Sequence, residues 1–275
     1  MNSTVNQRRA GLIAVTAAAC ALLLSSCALQ PASVTVAARS AEVRVVTSGA
    51  FTEAYKMLVP QFEKDSGHKV ISSYGASMGN ASDSIPSRLA RSEPMDVLIM
   101  AGSALDELIK QGRVMPGSRV DLVRSSIGFA VKSGAPKPDI STLAKLKQTL
   151  LNAKSIAYSA SASGVYFSTV LVQKLGIADQ VLPKSKRILS ERVGSVVARG
   201  DAELGLQQVS ELVPIAGIDY VGPLPDEVQQ NTFFSAGIVV GAKQPEAARA
   251  MIKFFTSAAA APTIAKTGLE PITAK

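Results

Sequence analysis

The chain has 275 residues, of which 47% are hydrophobic and 18% are charged. This composition excludes a disordered or fibrous protein and suffices for one large domain or two smaller lobes. The formal net charge of +8 is compatible with an anionic partner, whereas 5% aromatic residues and no tryptophan give little support to a nucleic-acid surface.

The first 27 residues have the pattern of a secretory signal. Arg8 and Arg9 precede an apolar stretch at 10–24, which is shorter than a membrane-spanning helix needs. The letters LSSC at 24–27 resemble a bacterial lipobox, which predicts a lipoprotein-type signal peptide at 1–27 with cleavage before Cys27, lipidation of Cys27 and a tether at 28–41. Ordinary cleavage after a nearby small residue is the alternative. The mature protein is expected in the periplasm or cell envelope, in contact with the membrane only through its lipid anchor.

The residue inventory excludes several kinds of site. The two cysteines, Cys20 and Cys27, both lie in the leader, so the folded body has no disulfide and no cysteine-based metal site. The only histidine, His68, lies in a connection and is interpreted as an ordinary exposed residue. We therefore expect no metal and no cofactor.

Beyond residue 41, strand-like and helix-like segments alternate. Predicted strands are VRVVTS (43–48), KVISSY (69–74), DVLIM (96–100), IGFAV (127–131), SIAYS (155–159), LGLQQ (204–208), IDYVG (218–222) and FFSAGIVV (233–240). Predicted helices are 52–66, 84–91, 104–111, 142–150, 165–175, 193–199 and 245–257. This alternation predicts α/β layers with mostly parallel sheets.

Three loops between a strand and a helix are rich in glycine and serine. They are VVTSGAF (45–51), SYGASMGNASDS (73–84) and YSASASGVYF (158–167). Unpaired backbone N–H groups and the helix dipole make such positions suitable for anions, and in α/β sheets these loops gather at the carboxyl ends of strands. The three loops together predict a pocket for a small anion, although helix capping alone explains any one of them.

Catalytic motifs of common enzyme classes are missing from the sequence. It has no GxSxG nucleophile elbow, no paired histidines at metal spacing and no phosphate-binding GxxxxGK. The possible carboxylate pairs, Asp83 with Asp96 and Glu203 with Glu211, are interpreted as solvated helix charges. Pro60 is expected to kink or end its helix early.

Four segments resemble the molybdate-binding (ModA) type of periplasmic solute-binding protein. They are VRVVTSGAFTEAYKMLVPQFEKDSGHKVISSYGAS, EPMDVLIMAGSALDELIKQGRV, SASGVYFSTVLVQKLGI and ARGDAELGLQQVSEL, in the family's order between residues 43 and 269. The resemblance implies a type II binding protein with two α/β lobes, mixed sheets and a ligand cleft between the lobes. It places lobe I at 42–124 plus 236–275 and lobe II at 125–235.

The resemblance also implies a set of ligand positions. The family's first hydroxyl aligns with Ala50, so that contact is absent, although Thr47, Ser48 and Gly49 lie beside it. The second-loop serine aligns with Ser77. The backbone contact at the second lobe aligns with Ser163, beside Gly164, and a further backbone contact with Val193. The family's tyrosine hydroxyl aligns with Gln208.

These departures from the family change the expected ligand. A compact oxyanion needs a tight shell of donors, and two of the hydroxyls are missing. A small carboxylate or polycarboxylate is therefore expected rather than molybdate. Arg88, Arg91 or Arg192 could bind it as a bidentate partner.

Two functions follow from the resemblance. The first is a receptor that delivers the anion to an ABC-type permease. The second is an aconitate isomerase on the same scaffold, which would interconvert cis- and trans-aconitate by an allylic proton shift and would need a base. The candidate bases are Asp83, Lys186 and Glu191.

Overall fold

The computed structural model describes residues 40–273. The predicted signal peptide with Cys27, and the predicted tether except its last two residues, lie outside this range and remain predictions. None of the helices described between 40 and 273 is both long and apolar enough to cross a membrane.

The described residues form eleven strands in two sheets. The first sheet has the order β11-β4-β10-β3-β1-β2 and the second has the order β7-β6-β8-β5-β9. The strands are β1 (Glu42–Thr47), β2 (Lys69–Tyr74), β3 (Val97–Ala101), β4 (Val120–Ser125), β5 (Ile127–Lys132), β6 (Ile156–Ser159), β7 (Ser185–Ile188), β8 (Leu204–Gln208), β9 (Ile218–Pro223), β10 (Thr232–Ile238) and β11 (Glu270–Pro271).

Eleven α-helices pack on these sheets within the described range. They are α1 (Thr52–Ser66), α2 (Ile85–Ala90), α3 (Gly102–Lys110), α4 (Leu143–Asn152), α5 (Ala162–Tyr166), α6 (Val172–Lys174), α7 (Ala178–Val181), α8 (Val193–Arg199), α9 (Val209–Leu212), α10 (Pro245–Phe255) and α11 (Ala261–Ala265). A π-helical turn, Phe167–Leu171, joins α5 to α6, and 3₁₀ turns lie at Gly49–Phe51, Leu182–Lys184 and Asp226–Val228.

Both sheets are mixed, so the expectation of mostly parallel sheets is wrong and the mixed sheets implied by the resemblance are confirmed. Strand β1 pairs in parallel with β2 and β3, and β6 pairs in parallel with β7 and β8. The remaining five pairings are antiparallel. The antiparallel strands include β5 and β10, whose continuous apolar runs show only that a strand is buried, not its direction.

The chain passes between the sheets twice. It crosses directly from β4 to β5 through Ser126, and it returns between β9 and β10. We call the part built on the first sheet the first lobe and the part built on the second sheet the second lobe. The boundary predicted between 235 and 236 falls inside β10, which belongs wholly to the first sheet.

Helix α1 illustrates how local sequence and packing combine. It runs through Pro60 to Ser66 without a break, so the expected early end is wrong. Pro60 is exposed, while Tyr55 and Leu58 are fully buried in the first-lobe core. Burial of this apolar face outweighs the hydrogen bond that proline removes. The helix ends at Gly67, whose φ of 71° is the left-handed conformation that glycine adopts easily.

Asp96 shows that one of the proposed carboxylate pairs serves the fold. Its side chain is buried and accepts hydrogen bonds from the backbone N–H groups of Arg44, Lys243 and Gln244 at 2.8, 2.7 and 3.2 Å. These bonds tie β1 and the start of α10 to β3. The interpretation of Asp96 as a solvated helix charge is therefore wrong.

Candidate functional site

A cleft cavity of about 300 Å³ lies between the two lobes, where loops from both sheets meet. Three of its walls come from the segments that follow β1, β2 and β6, which are the three glycine- and serine-rich loops of the sequence. Its lining residues are Ser48, Gly49, Thr52, Lys56, Tyr74, Gly75, Ala76, Asp83, Ser159, Ala160, Ser161, Ile188, Leu189, Ser190, Glu191, Arg192, Gln207, Glu211 and Phe234.

The first lobe presents hydroxyl groups and one cation to the cavity. The hydroxyl of Ser48 is buried and has no hydrogen-bond partner within residues 40–273. Lys56 on α1 lies with its amino group 5.8 Å from the ring centre of Tyr74. Ser48 and Gly49 are the two predicted ligand residues of the first loop that line the cavity. Ser48 supplies a hydroxyl without a partner among the described residues, and Gly49 lies against the carboxylate of Glu211, 2.1 Å from where its missing β-carbon would be.

The serine-rich loop of the second lobe contributes residues different from the predicted ones. Ser159 and Ser161 line the cavity, whereas Ser163 is buried behind it with its hydroxyl 3.1 Å from that of Ser159. At Gly164, a β-carbon would lie 1.6 Å from the carbonyl oxygen of Ser159. Glycine is thus required at this position because the backbone at Ser159 packs closely against it, without any ligand.

Four other predicted ligand positions lie behind the cavity wall. Thr47 and Ala50 are buried in the first lobe, and the hydroxyl of Ser77 accepts a hydrogen bond from the backbone N–H of Ala101 at 2.9 Å. The backbone N–H of Val193 donates to the side-chain oxygen of Gln207 at 2.9 Å. The backbone N–H of Val193 is thus already bonded within the protein, while the hydroxyl of Ser77 accepts one bond and keeps its own proton. Ligand contacts at these four positions remain predictions.

Of the two neighbouring glutamines at the end of β8, Gln207 is the one that lines the cavity. Successive side chains of a strand point to opposite faces. Gln208 accordingly points away and donates to the hydroxyl of Thr232 at 3.1 Å. The residue that aligns with the family's tyrosine is therefore not part of the cavity.

Glu211 is the main residue that the sequence analysis missed. It is partly buried at the start of α9, lines the cavity and accepts a hydrogen bond from the side-chain nitrogen of Gln207 at 2.6 Å. Burial raises the pKa of Glu211 to about 7, against the opposing effects of Arg192 and Gln207. The interpretation of Glu211 as a solvated helix charge is wrong. Glu203, its suggested partner, is exposed and accepts from the backbone N–H of Lys154 at 2.6 Å.

An ion pair connects the two lobes beside this carboxyl group. Arg192, just before α8, donates to Glu53 on α1 at 2.7 Å, and Glu53 also binds Lys56 at 3.3 Å. Burial raises the pKa of Glu53, but its ion pairs with Arg192 and Lys56 outweigh this effect and hold the pKa below its usual range. Arg192 and Lys56 line the cavity and Glu53 does not.

The three predicted bases occupy different environments. Asp83 lines the cavity, and its Oδ1 is buried without a hydrogen-bond partner among the described residues. Glu191 also lines it, but Arg199 binds its carboxylate at 2.9 and 3.1 Å and holds its pKa below the usual range. Lys186 lies on β7 at the edge of the second sheet, outside the lining.

The other two candidate arginines also have partners outside the cavity. Arg88 and Arg91 both bind the carboxylate of Glu93, each at 2.6 Å. Of the three arginines predicted to bind a carboxylate, Arg192 is thus the one on the cleft.

His68, at the far end of α1, accepts a hydrogen bond from the backbone N–H of Ala41 at 3.2 Å.

Comparison with known proteins identifies the scaffold. The family model for the bacterial extracellular solute-binding protein matches residues 43–270. The chain belongs to this solute-binding family. An aconitate isomerase from Pseudomonas sp. is 46% identical over 231 residues, which cover 84% of this chain and 88% of that protein. The molybdate-binding protein ModA of Azotobacter vinelandii is 30% identical over 232 residues, covering 79% and 85%.

Solved structures agree with this assignment. The periplasmic molybdate-binding protein of Azotobacter vinelandii superposes with a TM-score of 0.62 at 21% identity, covering 85% of this chain and all of that one. At this identity the likeness shows the fold alone. The resemblance to ModA-type solute-binding proteins and the predicted α/β fold with two mixed sheets are therefore confirmed for this family member.

Proposed function

We propose that this protein binds a small polycarboxylate in the cleft and isomerises it, acting as an aconitate isomerase. The observation that carries the proposal is the carboxyl group of Glu211 in the cavity wall. In its ionised form, an acidic group beside an anionic ligand weakens binding, because like charges repel, so a receptor for anions has little use for one. An enzyme that moves a proton needs such a group.

The chemistry needs one base and donors for the carboxylates. The base removes a proton from the methylene of cis-aconitate, the released electron pair forms a new carbon–carbon double bond, and the former vinylic carbon takes up a proton. The double bond thereby moves along the allyl unit and is formed again with trans geometry. A carboxyl group with a pKa near 7 suits this exchange, because it accepts and returns a proton with little bias at neutral pH.

The described residues can fill these roles. Glu211 is the base, oriented by its hydrogen bond from Gln207. Arg192 and Lys56 provide positive charge for the substrate carboxylates, and the free hydroxyl of Ser48 provides a further donor. Contacts from both lobes favour the closed cleft, as expected for a binding-protein scaffold. The 46% identity to an aconitate isomerase supports the same reaction.

A receptor for an uptake system is the second candidate function. The family match and the interlobe cleft support it, and it would require an ABC permease as partner. Export to the periplasm suits both functions, since the molybdate-binding relative of known structure is periplasmic. A lipid anchor on Cys27 is compatible with the isomerase and with the receptor, and it remains part of the proposal in both cases.

A turnover assay separates the two functions. Purified mature protein is mixed with cis-aconitate in deuterated buffer, and trans-aconitate is followed by proton NMR. We expect turnover by the natural protein, loss of at least a hundredfold in Glu211→Gln, and retention in Asp83→Asn. Binding without turnover in the natural protein would establish the receptor instead. Turnover that survives in Glu211→Gln and is lost in Asp83→Asn would identify Asp83, and not Glu211, as the base.

A further inference from the structure

Arg192 lies between two carboxylates that belong to different lobes. Glu53 on α1 of the first lobe binds it at 2.7 Å. Glu211 at the start of α9, in the segment that follows β8 of the second sheet, shares the cavity wall with it. Within residues 40–273, Arg192 forms a salt bridge with Glu53 and none with Glu211. The arginine therefore has its partner across the cleft rather than within its own lobe.

We propose that Glu53 is a positioning residue for the proton transfer: from the first lobe it holds the guanidinium of Arg192 away from Glu211, so that closure of the cleft leaves Glu211 free to accept a proton. The inference rests on the proposed function of Glu211 as the base. It assigns to Glu53, which does not line the cavity, an effect on catalysis that acts through Arg192.

The charged groups around Glu211 give the direction of the effect. The groups facing the cavity are Lys56 on α1, Asp83 in the loop after β2, and Glu191 and Arg192 before α8. Glu191 is bound by Arg199. Of these charged groups, Arg192 acts on the pKa of Glu211, lowering it, as does the hydrogen bond from the uncharged Gln207. An arginine that approached Glu211 directly would lower this pKa further.

Loss of Glu53 should lower the pKa of Glu211 for two reasons. It frees Arg192 to pair with Glu211, and it removes a negative charge from the neighbourhood. Both changes stabilise the ionised form of Glu211. Opening of the lobes has the first of these effects, because it separates α1 from the segment before α8. The ion pair thus couples the closed cleft to a base of suitable strength.

The test compares Glu53→Gln with Glu107→Gln. The control removes a glutamate that pairs with a lysine three residues later, as Glu53 does, but on the exposed face of α3 outside the cleft. The titration of Glu211 is followed by NMR of ¹³C-labelled glutamate carboxyl carbons, with its signal assigned by loss in Glu211→Gln. The acidic limb of kcat/KM with cis-aconitate is measured in parallel.

We expect a midpoint near pH 7 in the natural protein and in Glu107→Gln, and a midpoint below about pH 6 in Glu53→Gln. In an Arg192→Met background, Glu53→Gln should cause only a small further drop, because the larger part of its effect passes through Arg192 and only the loss of a nearby negative charge remains. An unchanged midpoint in Glu53→Gln, or a full drop that persists without Arg192, overturns the inference.

The two readouts separate this inference from the proposed function. A lowered carboxyl midpoint without any turnover in the natural protein would support the effect of Glu53 on Glu211 through Arg192, but would refute the isomerase and with it a role of Glu53 in catalysis. Turnover with an unchanged midpoint in Glu53→Gln would refute only the role of Glu53.

Discussion

The carboxylate of Glu211 packs against the α-carbon of Gly49 from across the cleft. A β-carbon at residue 49 would lie 2.1 Å from Oε2 of Glu211. The first lobe is therefore in contact with the proposed base, and the carboxylate of Glu211 fits there because Gly49 has no side chain. Contact of Gly49 with the ligand remains a prediction, whereas its contact with Glu211 is a feature of the structure.

Gly49→Ala should impair turnover without unfolding the protein. The clashing atom is the end of a flexible side chain, so the carboxylate can move aside while the fold persists. We expect kcat to fall at least tenfold, with a melting temperature within a few degrees of the natural protein. The control is the same change in a Glu211→Ala background, where the melting temperature should be indifferent to the methyl group. A Gly49→Ala protein with full activity would show that the position of Glu211 is unimportant.

Glu211→Gln should stabilise the protein at alkaline pH. The pKa of this carboxyl group is about 7 in the folded state and near its usual value in the unfolded chain, so the unfolded state releases its proton first. Stability contributed by this group is present at pH 4 and is lost as the pH rises toward and through 7. Glutamine cannot ionise and avoids this loss.

Thermal unfolding measures the effect of Glu211→Gln. We expect the variant to melt about 5 °C above the natural protein at pH 8, and the difference to shrink toward zero near pH 4. A difference that is constant between pH 4 and pH 8 would contradict the raised pKa.

Ser161→Asp should weaken binding of anionic ligands. Ser161 lines the cavity, so a carboxylate there repels the ligand. We expect at least a tenfold rise in Kd for a saturated tricarboxylate, measured by calorimetry. Thr169→Asp is the matched control, since Thr169 is exposed and outside the cleft cavity. Equal affinities for the two variants would show that the serine loop does not face the ligand.

Ser77→Ala should reduce stability more than it affects chemistry. The change removes the acceptor of a buried backbone N–H at Ala101, which costs about 1–3 kcal/mol in the free energy of unfolding. Urea denaturation measures this loss. Ser168→Ala is the control, because that partly buried hydroxyl donates to the carbonyl oxygen of Gly164 and its loss leaves no buried donor unpaired. Weakened ligand binding without any loss of stability would restore Ser77 as a ligand residue.

The sequence by itself determined the order and type of the main elements. The strands β3 and β5 are almost entirely apolar, and α10 has its apolar residues at helical spacing, with Ala247, Met251 and Phe255 buried. These signals are local, so they are visible without a structure. The segment at β4 was missed, because Asp121 and Arg124 interrupt its apolar pattern.

The three loops predicted to form the pocket do line the cleft cavity, but tertiary structure decided which of their residues face it. The pleat of β8 turns Gln207 inward and Gln208 outward, and an alignment of positions cannot distinguish two adjacent glutamines by the face they occupy. An alignment likewise does not show that Ser161 lines the cavity while Ser163 is buried behind it.

The contacts around the proposed base, Glu211, join residues that are far apart in the sequence, so they exist only in the folded chain. Arg192 meets Glu53 across 139 residues, and Glu211 meets Gly49 across the cleft. Nothing in the letters VSEL distinguishes Glu211 from a solvated helix charge. Its raised pKa comes from burial, and burial is a property of the assembled fold rather than of the local sequence.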